Sequence, residues 1–560
     1  MKTITAVLLF CGAAIACTNF LVTPGASVDG SAMISYAADS AALFGSLYNS
    51  VHATHAAGET VAIYDWDSGH YLGKIAQVAE TNTTVGNANE YGLAIGETTY
   101  GGFAALQTQT KGIMDYGSLI YTTLQRAKTA REAIKTMGAL VAEYGYASEG
   151  ESFSIADKNE VWVMEMIGKG EYELGAVWVA VRVPDGHITA HANQARIRQF
   201  PLNDPDNCMY AADVISFAKA HGFYDGPDEE FSFSDTYGPV NFEGARMCEM
   251  RVWSFFRKTV GAEAMDPYTD YVAGKNMANR MPWSLEPKAK LAVTDMMELM
   301  RDHLEGTEFD FSQDVGAGPY NTPYRWRPMT FEVNGKTYLN ERSTGTQQTA
   351  WVFVAHLRPN MPDALTAVSW FGLDDTGCTV FTPFYSCATA VPPAYAPKGN
   401  GAIMDFKITS AFWVFNLVSQ MTYERWRIIH PEVHDMALKM QAEYAEDLKK
   451  SDAEISALIE AGKAAEAVEL ATNYTVQRGT STYDQWLAFW EYLVPRYVDG
   501  NTKTAVPGEQ NPNVEWPGYG DAWYARIVAE TGDHYLVPEE SKNVVKDARM
   551  RRVIPYNKIW

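Results

Sequence analysis

The order of patterned segments along this chain constrains its fold more than any single motif does. The first 110 residues read as strands and turns. Asn19–Val22, Ala32–Tyr36, Val61–Asp65 and Leu93–Glu97 are apolar or alternating runs, punctuated by Gly25, Asp29-Gly30, Gly69, Gly86 and Gly101-Gly102. A helical stretch follows over 115–144, where Ile120, Leu124, Ala127, Ile134, Met137 and Val141 fall near a 3.6-residue period. Strands return at Phe153–Ala156, Glu160–Met166, Ala176–Arg182 and His187–Ala192. This order lacks the regular strand–helix alternation of a doubly wound parallel sheet. It predicts an α+β fold of largely antiparallel sheets with helices packed outside.

Further strands are expected at Trp326–Val333 and Lys336–Leu339, around the hairpin signal Asn334-Gly335, and at Trp351–His356 and Ala367–Phe371. The character changes after Pro397. The run 408–444 is rich in helix formers, with Pro431 expected to interrupt it, and helices are expected again over 452–476 and 483–497. The predicted organisation is a leader over 1–16, a main domain over 17–400, a helical region over 401–500, and a C-terminal segment over 501–560 packed on the core. No fixed-period repeat is apparent.

Residues 1–16 have the features of a secretory leader: Lys2, the apolar core 7–15, and the small-x-small pattern Ala14-Ile15-Ala16. An exported protein is therefore expected, periplasmic or secreted. Past residue 16 no apolar run reaches the roughly 18 residues that span a bilayer. A net charge of −23 disfavours nucleic acid and anionic membranes as partners. Self-association stays open. The six cysteines are Cys11, Cys17, Cys208, Cys248, Cys378 and Cys387. Cys11 leaves with the leader. Cys378 and Cys387 flank a short loop and can pair, and Cys208 with Cys248 is a weaker pairing, which leaves Cys17 odd. No C-x-x-C or H-E-x-x-H occurs, so no zinc-site motif is visible.

Cleavage behind Ala16 would make Cys17 the first residue. Three readings follow: a chance cysteine, a lipidation site that ties the protein to a membrane, or an N-terminal nucleophile. In the last, the α-amine, with an ordinary pKa of about 7.7–8.0, is a base built onto the same residue as the thiol. Lipidation would block both groups. Lipoproteins more often continue into a polar tether, whereas Cys17 enters an apolar run directly.

The segment Cys17-Thr18-Asn19-Phe20-Leu21-Val22, followed by Gly25-Ala26-Ser27-Val28-Asp29-Gly30-Ser31 and Ala38-Asp39-Ser40, resembles the start of the C69 dipeptidases. These are N-terminal-nucleophile hydrolases, related in fold to penicillin V acylase and bile salt hydrolase. The stretches 86–99, 160–165, 178–185 and 192–197 resemble later blocks of the same family. The resemblance implies a four-layer αββα sandwich and hydrolysis of amide bonds in small peptides, without metal or cofactor. By position it implies Cys17 as nucleophile and Asp39 as the carboxylate orienting its amine. Asn193 would hold the amine or the substrate carbonyl, and Glu97 to Thr99 would line the oxyanion pocket. Arg251 would match a late active-site arginine of the family, with Arg246 as competitor. Glu97 and Tyr36 would contact substrate; a substrate ammonium would want a carboxylate, for which Glu97 or Asp39 could serve, and a substrate carboxylate would want an arginine. Tyr36 stands where relatives often carry an arginine close to the thiol, so a cation that would lower the thiol pKa is missing; either another cation serves, with Arg251 the candidate, or the thiolate depends on the protonated amine alone.

Each residue also has a structural reading. Asp39-Ser40 can cap a helix, Asn89 and Gly92 can form a turn, Asn193 can satisfy buried backbone groups, and Arg251 can serve an ion pair. Asp375-Thr376-Gly377 spells an aspartic-protease triplet but lacks a second one in a suitable setting. The pairs His52/His55 and His187/His191 lack partners at metal-ligand spacing. An N-acyl amide hydrolase of the bile-salt or penicillin type and a non-catalytic peptide-binding lipoprotein remain the alternatives to a dipeptidase.

Overall fold

The computed structural model describes residues 17–107 and 109–542. The expected leader over 1–16 and the end of the expected C-terminal segment, 543–560, lie outside the described residues. The principal strands are β1 (Asn19–Val22), β2 (Ala32–Asp39), β3 (Ala94–Gly101), β4 (Gly150–Ala156), β5 (Val161–Gly168), β6 (Ala176–Arg182) and β7 (Ile188–His191). They continue with β8 (Thr330–Val333), β9 (Lys336–Leu339), β10 (Thr349–Leu357), β11 (Ala367–Leu373) and β12 (Thr382–Tyr385).

Two antiparallel sheets carry the fold. One runs Ser284–Leu285, β7, β1, β2, β10, β11, β12. The other runs Cys208–Tyr210, β6, β5, β4, β3 and ends in three two-residue strands between 49 and 89. β2 packs against β3 and β4, so the sheets stack face to face. Every residue of β2 and β5 is buried. Their near-continuous apolar runs follow from this, since one face meets the other sheet and the opposite face meets helices.

The expected helix over 115–144 is two helices, α1 (Tyr116–Arg126) and α2 (Ala130–Tyr144), packed on the second sheet. The Asp115 and Thr129 side chains accept from the Ser118 and Glu132 amides and start them. Ala127 between them is extended, so the period read through it spans a corner. α3 (Met250–Thr259) and α4 (Val293–Leu299) pack on the first sheet. The β8–β9 hairpin turns at Asn334 and Gly335, both at positive φ, as the dipeptide requires.

In the helical region, α5 (Ala411–Glu424) and α6 (Trp426–Glu460) part at Arg425 rather than at Pro431. Arg425 leaves helical geometry (φ −148°, ψ 65°) while its guanidinium binds the carbonyls of Tyr497 and Asn501. Pro431 sits in the second turn of α6, where it costs one bond, to the Arg427 carbonyl, and the helix continues. The separate helices expected over 452–476 and 483–497 are displaced: α6 ends at Glu460, and α7 (Ala464–Tyr497) is continuous. Gly479 within α7 allows close packing, since a Cβ there would meet Pro392 Cγ at 2.2 Å. Buried residues of α5, α6 and α7 join the same core cluster as β1, β2 and β10. A second cluster lies between the other sheet and α1 and α2. Towards the C-terminus, α8 (Asp521–Thr531) buries no residue.

The expected disulfides are not formed; Cys17, Cys208, Cys248, Cys378 and Cys387 are all free. Strand β12 runs extended between Cys378 and Cys387 at about 3.3 Å per residue and carries them apart. Cys208 lies on an edge strand of the second sheet, and Cys248 precedes α3 beside the first.

Candidate active site

Cys17 is fully buried at the head of β1, a strand flanked on both sides. Thr18 bridges Ala37 of β2, and Asn19 stands opposite His191 of β7. β2 then carries Tyr36 and, as its last residue, Asp39 to the same end. β3 brings Glu97 and Thr99 from the other sheet, and Asn193 follows β7 at φ 64°. Arg251 arrives from α3. The structure therefore brings together all seven residues expected at the site.

Their contacts divide into two sides. On the carbonyl side, Arg251 donates to the Cys17 carbonyl (2.6 Å), the Thr18 hydroxyl (2.8 Å), the Ala192 carbonyl (3.0 Å) and Asn193 Oδ1 (3.0 Å). Asn193 Nδ2 donates to the Thr99 carbonyl at 2.6 Å. Burial and the neighbouring Arg342 pull the Arg251 pKa down to about 9, which leaves it charged at neutral pH. Arg246, the competitor, is turned away: it pairs with Glu341 and binds the Leu339 carbonyl, tying down the β8–β9 hairpin.

On the thiol side, Cys17 Sγ lies 3.6 Å from Glu97 Oε1 and 3.9 Å from the Tyr36 hydroxyl, which itself donates to Glu97 Oε1. Burial, then the charges of Glu97 and Asp39, push the thiol pKa well above its ordinary value, while the Asp39 amide opposes this. Arg251 forks onto the carbonyl and not the sulfur, so it does not substitute for the arginine missing at Tyr36.

Asp39 caps no helix. Its Oδ2 pairs with Arg342 at 2.6 Å and its Oδ1 accepts from Thr349 at 2.6 Å. Burial nevertheless holds its pKa above the ordinary carboxylate value. Asn89, by contrast, is a turn residue: its Oδ1 accepts from the amides of Tyr91 and Leu93.

Two residues at the site belong to no local sequence motif. Arg342 lies in a loop 303 positions from Asp39. Glu151, in β4, accepts from the Thr99 hydroxyl at 2.7 Å and contacts Glu97. Beneath the site, Ser154 and Thr98 hydrogen-bond the two nitrogens of His191, each at 2.7 Å, and join the sheets. Gly96 lets them approach: a Cβ there would sit 3.1 Å from Tyr36 Cβ. Among the described residues, no cluster of three or more His, Cys, Asp or Glu side chains is arranged to hold a metal ion. None of the helices among them is long and apolar enough to cross a membrane.

A thiol beside a carboxylate, with its main-chain carbonyl held by an arginine that an asparagine in turn braces, is an arrangement suited to acyl transfer. The family model for peptidase family C69 matches residues 49–439. That span takes in Glu97, Glu151, Asn193, Arg251 and Arg342 and begins after Cys17 and Asp39. The chain is 28% identical over 397 residues to a protein named probable dipeptidase from Salmonella dublin, covering 68% of this chain and 82% of that one. It is 26% identical over 423 residues to a probable dipeptidase from Latilactobacillus sakei, covering 72% and 80%. A protein named dipeptidase from Bifidobacterium longum is 26% identical over 279 residues, covering 48% and 47%. With the family model matching most of its length, the chain belongs to peptidase family C69 and is a peptide-bond hydrolase.

Proposed function

We propose that this protein is an exported cysteine dipeptidase in which removal of residues 1–16 makes Cys17 the N-terminal nucleophile. The supporting observation is convergence. Cys17 heads a central strand, Asp39, Glu97 and Arg251 reach it from three separate elements, and Asn193 braces Arg251 from a fourth segment. Two face-to-face sheets with helices against each support the N-terminal-nucleophile sandwich. The relatives named dipeptidase support small peptides as substrates.

The raised thiol pKa defines what the free amine must do. Among the described residues no side-chain cation contacts the sulfur, so the proton passes to the Cys17 amine as the thiolate attacks the peptide carbonyl. Donors from the 97–99 stretch and Asn193 stabilise the oxyanion. The Cys17 ammonium protonates the leaving amine, and the regenerated amine activates the water that releases the acyl group. Clamped by Arg251, the residue keeps sulfur and amine in fixed relation through both steps.

Mass spectrometry of the protein exported by its host, combined with dipeptide hydrolysis by wild type and Cys17→Ala, tests this reading. A mature chain starting at an unmodified Cys17, and loss of activity in the variant, are expected. A diacylglycerol on Cys17, or full activity without its thiol, refutes it.

A further inference from the structure

Glu97 and Glu151 occupy neighbouring antiparallel strands one diagonal step apart, since Glu97 stands opposite Phe153 and Thr99 opposite Glu151. Their carboxyl groups meet, and each is at most 1% exposed. Oε1 of Glu97 accepts from Tyr36 and lies beside the thiol; Oε1 of Glu151 accepts from Thr99. Oε2 of each carboxyl has no donor. The Tyr146 hydroxyl, fully buried and also without a partner, lies within electrostatic range of both. Two carboxylates and a thiolate in one dry spot repel one another, and a shared proton removes only part of that charge. The arginines close by are engaged elsewhere: Arg342 with Asp39, and Arg251 with the carbonyl side.

We propose that the free α-ammonium group of the peptide substrate docks on the Glu97–Glu151 carboxyl pair, which makes Glu151 a substrate-binding residue. This rests on the reading of Cys17 as a dipeptidase nucleophile and adds how the substrate's amino end is recognised. The distances fit. Within an N-terminal residue, the amine nitrogen and the carbonyl carbon are about 2.5 Å apart. Attacking and attacked atoms approach to about 3–3.5 Å before reaction. An ammonium hydrogen-bonded to Glu97 Oε1, itself 3.6 Å from Sγ, therefore brings its own carbonyl within reach of the sulfur. An amine placed one carbon further along, or acylated, does not.

The same contact completes the electrostatics. The ammonium offsets the carboxylate charge, and the thiol proton passes to the Cys17 amine. The thiolate then adds to the carbonyl and the C–N bond breaks. The departing amine takes the proton from the Cys17 ammonium, and water cleaves the thioester to release the first residue as a free amino acid. Substrate thereby supplies the cation that Tyr36 does not.

The test compares kcat/KM of the mature protein for an alanyl dipeptide, its N-acetylated form and its β-alanyl analogue, in wild type, Glu97→Gln and Glu151→Gln. Wild type is expected to prefer the free α-amine by about 100-fold or more, because the buried carboxyls are otherwise left unpaired. Glu97→Gln should bring that ratio to within about tenfold, and Glu151→Gln should lower it about fivefold or more, chiefly through KM. Wild type that cleaves the acetylated dipeptide equally well overturns the proposal and assigns the carboxyls to the Cys17 amine. So does a preference that survives in both variants. The wild-type ratio is informative whether or not the variants fold. Failure of wild type to cleave any of the three removes the dipeptidase reading itself, and this inference with it, an outcome distinct from cleavage without preference.

Discussion

Arg251 holds Cys17 by its main-chain carbonyl, at 2.6 Å, from 234 positions away in sequence. The same guanidinium reaches Thr18, Ala192 and Asn193, so one side chain fixes β1 against the segment that follows β7. Lysine in its place keeps the charge and loses the fork. Arg251→Lys is expected to cost about 2–4 kcal/mol in stability, since buried acceptors lose charge-assisted donors. Activity should fall about 100-fold or more as Cys17, the proposed nucleophile, loses its anchor. Urea denaturation alongside steady-state kinetics measures both.

The Tyr36 position offers a direct test of the thiol's electrostatics. Its hydroxyl donates to Glu97 and carries no charge to the sulfur. Tyr36→Arg introduces a cation 19 residues from Cys17 in sequence but beside it in space. The expected outcome is a lower thiol pKa, seen as a rise of about tenfold or more in iodoacetamide alkylation of Cys17 at pH 7. An unchanged rate would remove the charge argument made for Glu97.

The Asp39–Arg342 pair is buried at both ends. Removing either partner breaks a buried ion pair, and Asp39→Asn or Arg342→Met should each cost about 3–5 kcal/mol. The double variant should recover part of that loss. A double-mutant cycle on unfolding free energies measures the coupling, and simple additivity would show that the pair is not a unit.

His191 gives the fold an acid-sensitive element. Burial holds its pKa down at about 3, against an ordinary value of 6.5. Between those values the unfolded chain binds a proton at this residue and the native state does not. Stability is therefore full above pH 6.5 and falls as pH drops towards about 3, by roughly 1.4 kcal/mol per unit from this residue. Urea midpoints from pH 7 to pH 4 should follow that slope in wild type and flatten in His191→Gln.

Much of this architecture is legible from local pattern. Strands β1, β6 and β9 have the expected bounds, because each is an apolar or alternating run closed by turn residues. Periodicity failed where the chain bends without changing composition: at Ala127, at Arg425, and at the corner from Ala461 to Lys463. The site was half legible. Cys17, Tyr36 and Asp39 come from a short N-terminal stretch, where order along the chain is close to order in space. Arg342 and Glu151 are placed by register and by a loop that follows a hairpin, and no local motif encodes either. Glu151 did leave a trace, as a charged residue at i, i+2 and i+4 spacing with the buried Phe153 and Ile155 of one strand face.

Threading Cys17 into the middle of a sheet has a practical corollary for handling this enzyme. On the proposed reading cleavage makes Cys17 the terminus, and the residue is fully buried at the head of a strand flanked by β2 and β7, so its amine has to be free there. Even one leftover methionine or the scar of a cleaved tag would sit in the space that proton transfer and substrate both need. The opposite end is permissive, since α8 buries nothing. Purification handles belong there, and preparations that begin one residue early or late should be inert proteins of correct fold.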